Sequence, residues 1–128
     1  MGPDFAILAL PRSRTAWLAA YLSACHNMTC FHDGVNGCGT QKEYLRKFGG
    51  SRAWGDSGPS LLFYQEWFQD GTHRVVIERR EADCWKSFKA LYPSADRGEW
   101  EKQVSLFEEA SASAHAIIHF EELDDFTA

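Results

Sequence analysis

The segment that decides the fold is Phe5-Ala-Ile-Leu-Ala-Leu-Pro-Arg-Ser-Arg-Thr-Ala-Trp-Leu18. Its first six residues form a continuous apolar run, which is typical of a short strand covered on both faces. Pro11 interrupts this run, and apolar residues then recur with helical spacing. The predicted apolar stripe of that helix consists of Trp17, Leu18, Tyr21, Leu22 and Cys25. The segment therefore predicts a buried strand, a short loop, and a helix that begins at Thr15.

Strand and helix patterns alternate along the rest of the chain. Further strands are predicted at 28–32, 52–56, 73–78 and 115–120. Helices are predicted at 40–48, 59–69, 82–91 and 99–112, the first of them with a Thr40–Glu43 capping box. Because parallel strands need crossover connections, this order predicts an α/β fold. We expect a three-layer α/β/α domain spanning 1–128, with a mainly parallel sheet of about five strands.

Composition excludes several classes of protein. The 128 residues suit one domain, and 45% hydrophobic with 24% charged residues is ordinary globular usage. Thirteen Lys and Arg against 18 Asp and Glu give a formal charge of -5, which argues against bulk nucleic-acid binding. The charge still permits a local basic pocket for one small anion.

Targeting and metal signals are weak. No secretory pattern is present at the N-terminus, and the apolar run at 5–10 is too short for a membrane span. Four cysteines without a CxxC pair indicate reduced thiols and a cytoplasmic protein. The spacing of His26, Cys30, His32 and Cys38 fits no closed zinc site, so no metal is predicted.

The loop between the first strand and the first helix is a candidate anion site. Free backbone N–H groups and the helix dipole attract anions there. Arg12 and Arg14 add positive charge, and Ser13 and Thr15 add hydroxyl groups. The loop has no Walker Lys and no Walker glycine spacing. An alternative interpretation is a capped helix start with two solvated arginines.

A second candidate lies around the fourth predicted strand. Arg79 follows this strand, and Asp83 and Ser87 share one face of the next helix because they are four residues apart. An Arg at the strand end and a Ser two turns along the helix can converge on one phosphate. The alternative is that Arg79 is a surface charge.

Together these segments resemble the sulfotransferase family that uses 3′-phosphoadenosine 5′-phosphosulfate (PAPS). Residues 11–18 are similar to the family's 5′-phosphosulfate loop, and Arg79, Asp83 and Ser87 match its 3′-phosphate motif. His119-Phe-Glu-Glu-Leu123 is similar to a Tyr-Glu-Asp-Leu ending of a late strand. The resemblance implies a P-loop-like, sulfotransferase-like fold that binds PAPS or its product, the 3′,5′-bisphosphate PAP, without a metal.

The resemblance also implies residue roles. Arg12 would hold the transferring sulfonate, the loop residues Ser13, Arg14, Thr15 and Ala16 the 5′-phosphate, and Arg79 and Ser87 the 3′-phosphate. Arg14 stands where the family has Gly, and Ala16 where it has a second Thr. We expect residue 14 to adopt a conformation that a non-glycine residue tolerates, with Arg14 as a possible second clamp. The chain ends before the Gly- and Lys-rich loop of larger members, so reduced acceptor-binding elements are expected.

His32 and Asp33 are the candidate bases, because they follow the strand expected beside the loop. Imidazole has an intrinsic pKa of about 6.5, nearer neutrality than about 3.9 for a carboxyl group. The alternative is that Asp33-Gly34 is only a turn. Trp54 is the tryptophan best placed to stack on a base or an acceptor ring, and residues 56–58 are interpreted as a helix-start cap rather than cleft lining.

The leading functional hypothesis is sulfonate transfer from PAPS to a hydroxyl or amine. One alternative is a degenerate relative that binds a nucleotide without turnover. A nucleotide kinase is disfavoured because the loop has no Walker Lys. The expected partners are a small nucleotide and an unidentified acceptor, and a homodimer that completes the cleft is considered.

Overall fold

The fold is built on a parallel sheet. The computed structural model describes residues 2–25, 27–50, 52–68 and 70–127, and the side chains through Leu123. Within them, each neighbouring pair of strands is parallel, and the strand order is β2-β3-β1-β4-β5. The strands are β1 (Phe5–Ala9), β2 (Met28–His32), β3 (Ala53–Ser57), β4 (His73–Glu78) and β5 (Ala116–His119). The predicted α/β architecture is confirmed.

Helices connect the strands. They are α1 (Thr15–Ser23), α2 (Gln41–Phe48), α3 (Glu81–Leu91) and α4 (Arg97–Ala112), with 3₁₀ helices at Pro59–Trp67 and Phe120–Thr127. The α-helices agree closely with the prediction. Thr40 caps α2 as the capping box predicts, accepting a hydrogen bond from the Glu43 N–H at 3.1 Å.

The prediction of an ordinary helix after Pro59 is wrong. That segment is a 3₁₀ helix interrupted at Tyr64, whose φ is -130°. The Gln65 side-chain amide donates to the Leu62 carbonyl at 3.1 Å. In an α-helix the Leu62 carbonyl would accept the backbone N–H four residues later. The side-chain hydrogen bond from Gln65 therefore competes with the backbone hydrogen bond of a regular α-helix.

Two apolar clusters lie on opposite faces of the sheet. Alternation along β1 sends Ala6 and Leu8 into one cluster, and Ile7 and Ala9 into the other. The first cluster takes side chains from α2, α3, α4 and the 3₁₀ helix at Pro59–Trp67, and the second takes them from α1 and the C-terminal 3₁₀ helix. Crossovers of a single hand account for this separation, because the chain leaves β1 in one direction along the sheet and β2, β3 and β4 in the other. The three-layer prediction is confirmed.

The predicted stripe on α1 is wrong in part. The helix buries Thr15, Leu18 and Ala19, while Tyr21 and Cys25 are exposed. Trp17 and Tyr21 stack on each other with ring centroids 5.4 Å apart. Trp17 and Leu22 pack against the second apolar cluster, so the stripe is right for them, and the Trp17 ring gives the exposed Tyr21 ring its stacking partner.

Trp54, named from the sequence as the tryptophan best placed to stack on a ligand, lies in the core instead. Trp54 lies near the start of β3, only 4% exposed, and packs against Tyr44 and Phe31 in the core. Ligands of parallel sheets bind at the opposite, carboxyl end of the strands. Trp54 is therefore part of the aromatic core.

Two further findings concern membrane spans and the cysteines. None of the helices in the described ranges is long and apolar enough to cross a membrane. The thiols of Cys25, Cys30, Cys38 and Cys84 are not joined in disulfides.

Candidate functional site

The candidate site lies where β1 and β4 end. These strands are neighbours, but the chain leaves β1 for α1 on one face and leaves β4 for α3 on the other. Such a divergence opens a crevice at the carboxyl end of a parallel sheet, and ligands bind there. The loop at residues 11–15, called the phosphate loop below, and Arg79 therefore lie at the two sides of one crevice.

The phosphate loop turns sharply. Arg12 and Arg14 have φ values of 70° and 65°, in the left-handed region that glycine favours. Between them, Ser13 is 1% exposed, and its Oγ lies 3.6 Å from the Cys84 Sγ. Left-handed residues in such turns orient successive backbone N–H groups toward one concavity, which suits an anion. The loop thus keeps the backbone shape of a glycine-containing loop without the glycine.

Residue 14 was expected to adopt a conformation that a non-glycine residue tolerates, and it lies in the small left-handed region that such residues can adopt at an energetic cost. Arg14 adopts the left-handed conformation, and its guanidinium carbon lies 4.5 Å from the centre of the Trp17 ring. A cation above an aromatic ring contributes roughly 0.5–1 kcal/mol at an exposed site, which offsets part of the backbone cost.

Arg14 gives a stability prediction. Both Arg14→Gly and Arg14→Ala lose the Trp17 contact, but only Arg14→Gly also removes the left-handed penalty. We expect the glycine variant to be the more stable of the two by about 1 kcal/mol, measured by urea unfolding. The exposed Arg46 in α2 is the control, because there alanine should exceed glycine by about 1 kcal/mol. An alanine variant at 14 as stable as the glycine variant would contradict the strain argument.

Three residues predicted to bind the nucleotide donor meet at this crevice. The Arg12 Nε donates to the Ser87 Oγ at 3.1 Å, across 75 residues of sequence. The Arg79 Nη1 donates to the Arg12 carbonyl, and the Arg79 guanidinium carbon lies 4.3 Å from the centre of the Phe120 ring. Asp83 pairs with Arg80 at 3.0 Å, and the hydrogen bond from Arg80 lowers the pKa of that carboxyl group. The structure thus brings Arg12, Arg79 and Ser87 together, and Asp83 forms a separate ion pair.

The two candidate bases lie beside the phosphate loop. The His32 Nε2 is 3.1 Å from the Thr15 Oγ1 and 3.5 Å from the Asp33 Oδ2. Asp33 has a φ of 51°, so the turn interpretation is correct for its backbone. Its Oδ1 accepts the Ser60 N–H at 3.1 Å and caps the 3₁₀ helix that begins at Pro59. The His32 side chain is 40% exposed and the Asp33 side chain 20%, so the imidazole is the more accessible group.

A cleft of about 410 Å³ opens in front of these groups. One side is formed by residues 11–16 with His32 and Asp33, so the exposed Ala16 of α1 also lines it. The other side is mostly apolar and consists of Pro59, Ser60, Phe63, Phe88, Leu91, Tyr92 and Gln103. Arg79 and Ser87 do not line the cleft. Both form a hydrogen bond with Arg12, which does line it. The cleft therefore combines an anion-binding side with an apolar side.

Comparison with known proteins supports a fold assignment. No family model matches the chain, and no curated protein matches it in sequence. The fold superimposes on the crystal structure of a sulfotransferase from Alicyclobacillus acidocaldarius with a TM-score of 0.66. The sequences are 16% identical, and the match covers 98% of this chain and 76% of that one. The chain has a sulfotransferase-like fold.

Within this sulfotransferase-like fold, Asp56 and Ser57 on β3 connect the turn after the candidate bases with the start of α1. Asp56 is fully buried, and its Oδ1 accepts N–H groups of Gly34 and Ser57, both at 2.9 Å. The Tyr44 hydroxyl donates to the Asp56 Oδ2 at 2.8 Å. The Ser57 Oγ donates to the Thr15 carbonyl at 3.0 Å. Asp56 thus fixes the turn that follows the candidate bases, and Ser57 fixes the start of α1.

Sequence reasoning missed this role. The interpretation of residues 56–58 as the cap of the following helix holds for Gly58, its N-cap residue, but the side chain that caps this helix is Asp33, and Asp56 and Ser57 belong to β3. The available signal was an Asp-Ser pair at the end of a predicted strand, next to a glycine. A Cβ on Gly58 would lie 1.8 Å from the Asp33 Oδ1, so only glycine permits this approach.

Asp56 gives a pH prediction. Burial raises its pKa above the ordinary value, while hydrogen bonds from Gly34, Tyr44 and Ser57 act in the opposite direction. A carboxyl group with a raised folded-state pKa adds stability below its ordinary pKa, about 3.9, and loses it as the pH rises through the folded value. We therefore expect the unfolding free energy of the wild type, minus that of Asp56→Asn, to fall as the pH rises from 3.5. Urea unfolding across this range measures the difference, and a difference that grows with pH would contradict the prediction.

No metal site is evident. The described residues contain no group of three or more His, Cys, Asp and Glu side chains that is arranged to hold an ion. Of the histidines and cysteines considered for zinc, His26 lies outside the described residues.

Proposed function

We propose that this protein binds PAPS and PAP at the crevice between β1 and β4 and transfers a sulfonate group to a hydroxyl or amine. The observation that carries the proposal is the meeting of Arg12, Arg79 and Ser87 beside the start of α1. Two arginines held within one hydrogen-bonded group suit a ligand with two phosphate-like ends. The sulfotransferase-like fold supports the same proposal.

Different residues bind the different charged groups of the ligand. The phosphate loop and the start of α1 receive the 5′-phosphate through backbone N–H groups of residues 13–16, because the Ser13 hydroxyl is buried against Cys84. Arg79 and Ser87 receive the 3′-phosphate, and Arg12 receives the sulfonate. Charged hydrogen bonds contribute roughly 1.5–3 kcal/mol each, so about four of them reach the 8 kcal/mol or so of micromolar binding.

His32 is the proposed base. The donor supplies a sulfonate on a phosphate leaving group. The acceptor oxygen forms a bond to sulfur, the sulfur–oxygen bond to the phosphate breaks, and PAP leaves with the electron pair. The acceptor proton passes to the His32 Nε2, where the acceptor hydroxyl takes the place of the Thr15 hydroxyl. Asp33 stabilises the resulting imidazolium through its Oδ2, since its Oδ1 already accepts the Ser60 N–H.

A binding protein without turnover is the second candidate. It would use the same phosphate contacts, and it is favoured by Arg14 and Ala16, which replace residues of the resembled loop. We also propose that the protein works in the cytoplasm, because its four cysteines are not joined in disulfides and thiols persist in a reducing compartment.

Two measurements test the proposal. Titration calorimetry with PAP should give saturable binding near micromolar concentration, and labelled PAPS should transfer its sulfonate to at least one compound of an acceptor panel. Binding without transfer to any acceptor would favour the second candidate. The absence of binding at millimolar PAP would overturn both, and magnesium-dependent ATP hydrolysis would instead support a kinase.

A further inference from the structure

The hydroxyl group of Thr15 contacts the proposed base. Its Oγ1 lies 3.1 Å from the His32 Nε2, and Thr15 is only 6% exposed at the first position of α1. Either the hydroxyl donates to the lone pair of Nε2, or an Nε2–H group donates to the hydroxyl oxygen. In both cases the nitrogen that should take the acceptor proton is already engaged. The hydrogen bond therefore blocks the base at the atom that has to react.

The Thr15 hydroxyl is also the loop hydroxyl that can reach a phosphate. The phosphate loop has two hydroxyl groups, and that of Ser13 is buried against the Cys84 Sγ. Thr15 lines the cleft together with His32, and its own N–H is one of the proposed donors to the 5′-phosphate. The N–H and the hydroxyl of one threonine lie close enough for a single phosphate to accept from both. A bound 5′-phosphate and the imidazole thus compete for the same hydroxyl group.

An exchange between these two partners needs only a rotation of the Thr15 side chain. The Ser57 Oγ donates to the Thr15 carbonyl at 3.0 Å, so the backbone of Thr15 is held by β3. Threonine in a helix populates two χ1 rotamers, which makes the rotation feasible. A hydrogen bond to a charged group is roughly twice as strong as one between neutral groups. The hydroxyl is therefore expected to leave the imidazole when a phosphate binds.

We propose that Thr15 is a positioning residue that keeps His32 blocked until the donor binds. In the free protein its hydroxyl engages the His32 Nε2. When the 5′-phosphate enters the phosphate loop, the hydroxyl turns to it, and Nε2 becomes available to the acceptor. The acceptor can then lose its proton only after the donor has bound. This inference rests on the proposed sulfonate transfer, but the blocking of His32 is a property of the free protein.

Alkylation of the His32 Nε2 by iodoacetamide tests the blocking, because the nitrogen reacts through its lone pair. The Nε2 and Nδ1 products are separated after hydrolysis of the peptide that contains His32. Thr15→Val removes the hydroxyl and keeps the branched shape, so Nε2 should react about fivefold faster than in the wild type, the factor of one neutral hydrogen bond. Urea unfolding shows whether this variant is folded, and Thr15→Ala takes its place if it is not.

Two further variants serve as controls. Thr15→Ser keeps a hydroxyl at the same position and should react like the wild type. Thr29→Val makes the same replacement earlier on β2, at a residue that does not line the cleft. Its rate of Nε2 alkylation should also equal that of the wild type.

Saturating PAP tests the exchange of partners. Without ligand the wild type should react about fivefold more slowly than Thr15→Val, and with PAP the two proteins should react at the same rate. Any shielding of His32 by bound PAP is present in both proteins. A loss of the difference between them therefore reports on the hydroxyl alone.

The outcomes separate this inference from the proposed function. If the wild type and Thr15→Val react alike without ligand, or Thr29→Val is as fast as Thr15→Val, the blocking is wrong and the proposed function stands. If PAP binds but the fivefold difference persists, the exchange is wrong and PAP binding stands. If PAP does not bind, the proposed function fails, and sulfate becomes the probe of the phosphate loop. A difference that vanishes with sulfate would still support the exchange, and one that persists would overturn it.

Discussion

Arg79→Ala is expected to weaken PAP binding by about 10- to 100-fold, which corresponds to the roughly 1.5–3 kcal/mol of a charge-assisted hydrogen bond. Arg79 follows β4 and reaches the Arg12 carbonyl, so its guanidinium lies at the crevice and not on a separate face. Arg12→Ala should also weaken PAP binding, because the Arg12 Nε holds Ser87, a proposed ligand of the 3′-phosphate. Titration calorimetry measures both losses.

The controls distinguish binding from folding. Arg46→Ala removes an exposed arginine from α2 and should leave PAP affinity unchanged. Arg79→Lys keeps the charge but cannot reproduce two parallel hydrogen bonds, so it should recover only part of the affinity. Urea unfolding of each variant shows whether a loss reflects the fold. Unchanged PAP affinity in folded Arg12→Ala and Arg79→Ala proteins would remove the basis of the proposed function.

His32→Ala is expected to lower kcat by about 10²- to 10⁴-fold while PAP affinity stays near the wild-type value. The His32 Nε2 lies 3.1 Å from the Thr15 Oγ1, so the imidazole is beside the phosphate loop yet is not among the proposed phosphate ligands. Turnover with labelled PAPS and the acceptor found in the panel gives kcat, and calorimetry gives PAP affinity.

Asp33→Asn is the matched variant for this test. An asparagine oxygen can still accept the Ser60 N–H, so the 3₁₀ helix keeps its cap while the negative charge beside His32 is lost. We expect about a tenfold loss of kcat, smaller than that of His32→Ala. If Asp33→Asn lost more activity than His32→Ala, Asp33 would be the base and His32 the supporting residue.

Local patterns in the sequence predict most of the secondary structure because each pattern is settled within a few residues. The capping box at Thr40, the break at Pro11 and the β-branched run in β4 all act at this range. One difference arose from distant partners. Trp54 was considered for ligand stacking because its aromatic core partners in α2 and β2 are not visible from its own segment. The 3₁₀ helix after Pro59, by contrast, involves a side-chain bond that spans only three residues.

The placement of the candidate site residues was predictable to a similar extent. The sequence places Arg12, Arg79, His32 and Asp33 at or just after strand ends and Ser87 two turns along the helix after β4, and the structure brings Arg12 together with Arg79 and Ser87. The relation of Asp56 to Gly34 and Tyr44 was not found, because a buried carboxylate is recognised by its surroundings and not by its neighbours in sequence. The same holds for Asp33, whose second role as a cap depends on a 3₁₀ helix 27 residues away.

By itself the sequence determined the order of strands and helices, the parallel sheet and the basic loop at the end of the first strand. Only the tertiary structure decided that β1 lies beside β4, and therefore that Arg12 meets Arg79 and Ser87. It also decided which side chains line the cleft. The physical reason is one of range. Hydrophobic periodicity and helix capping depend on residues within about one helical turn of each other in the sequence. The order of the strands depends instead on how the chain buries the apolar clusters on both faces of the sheet at the same time.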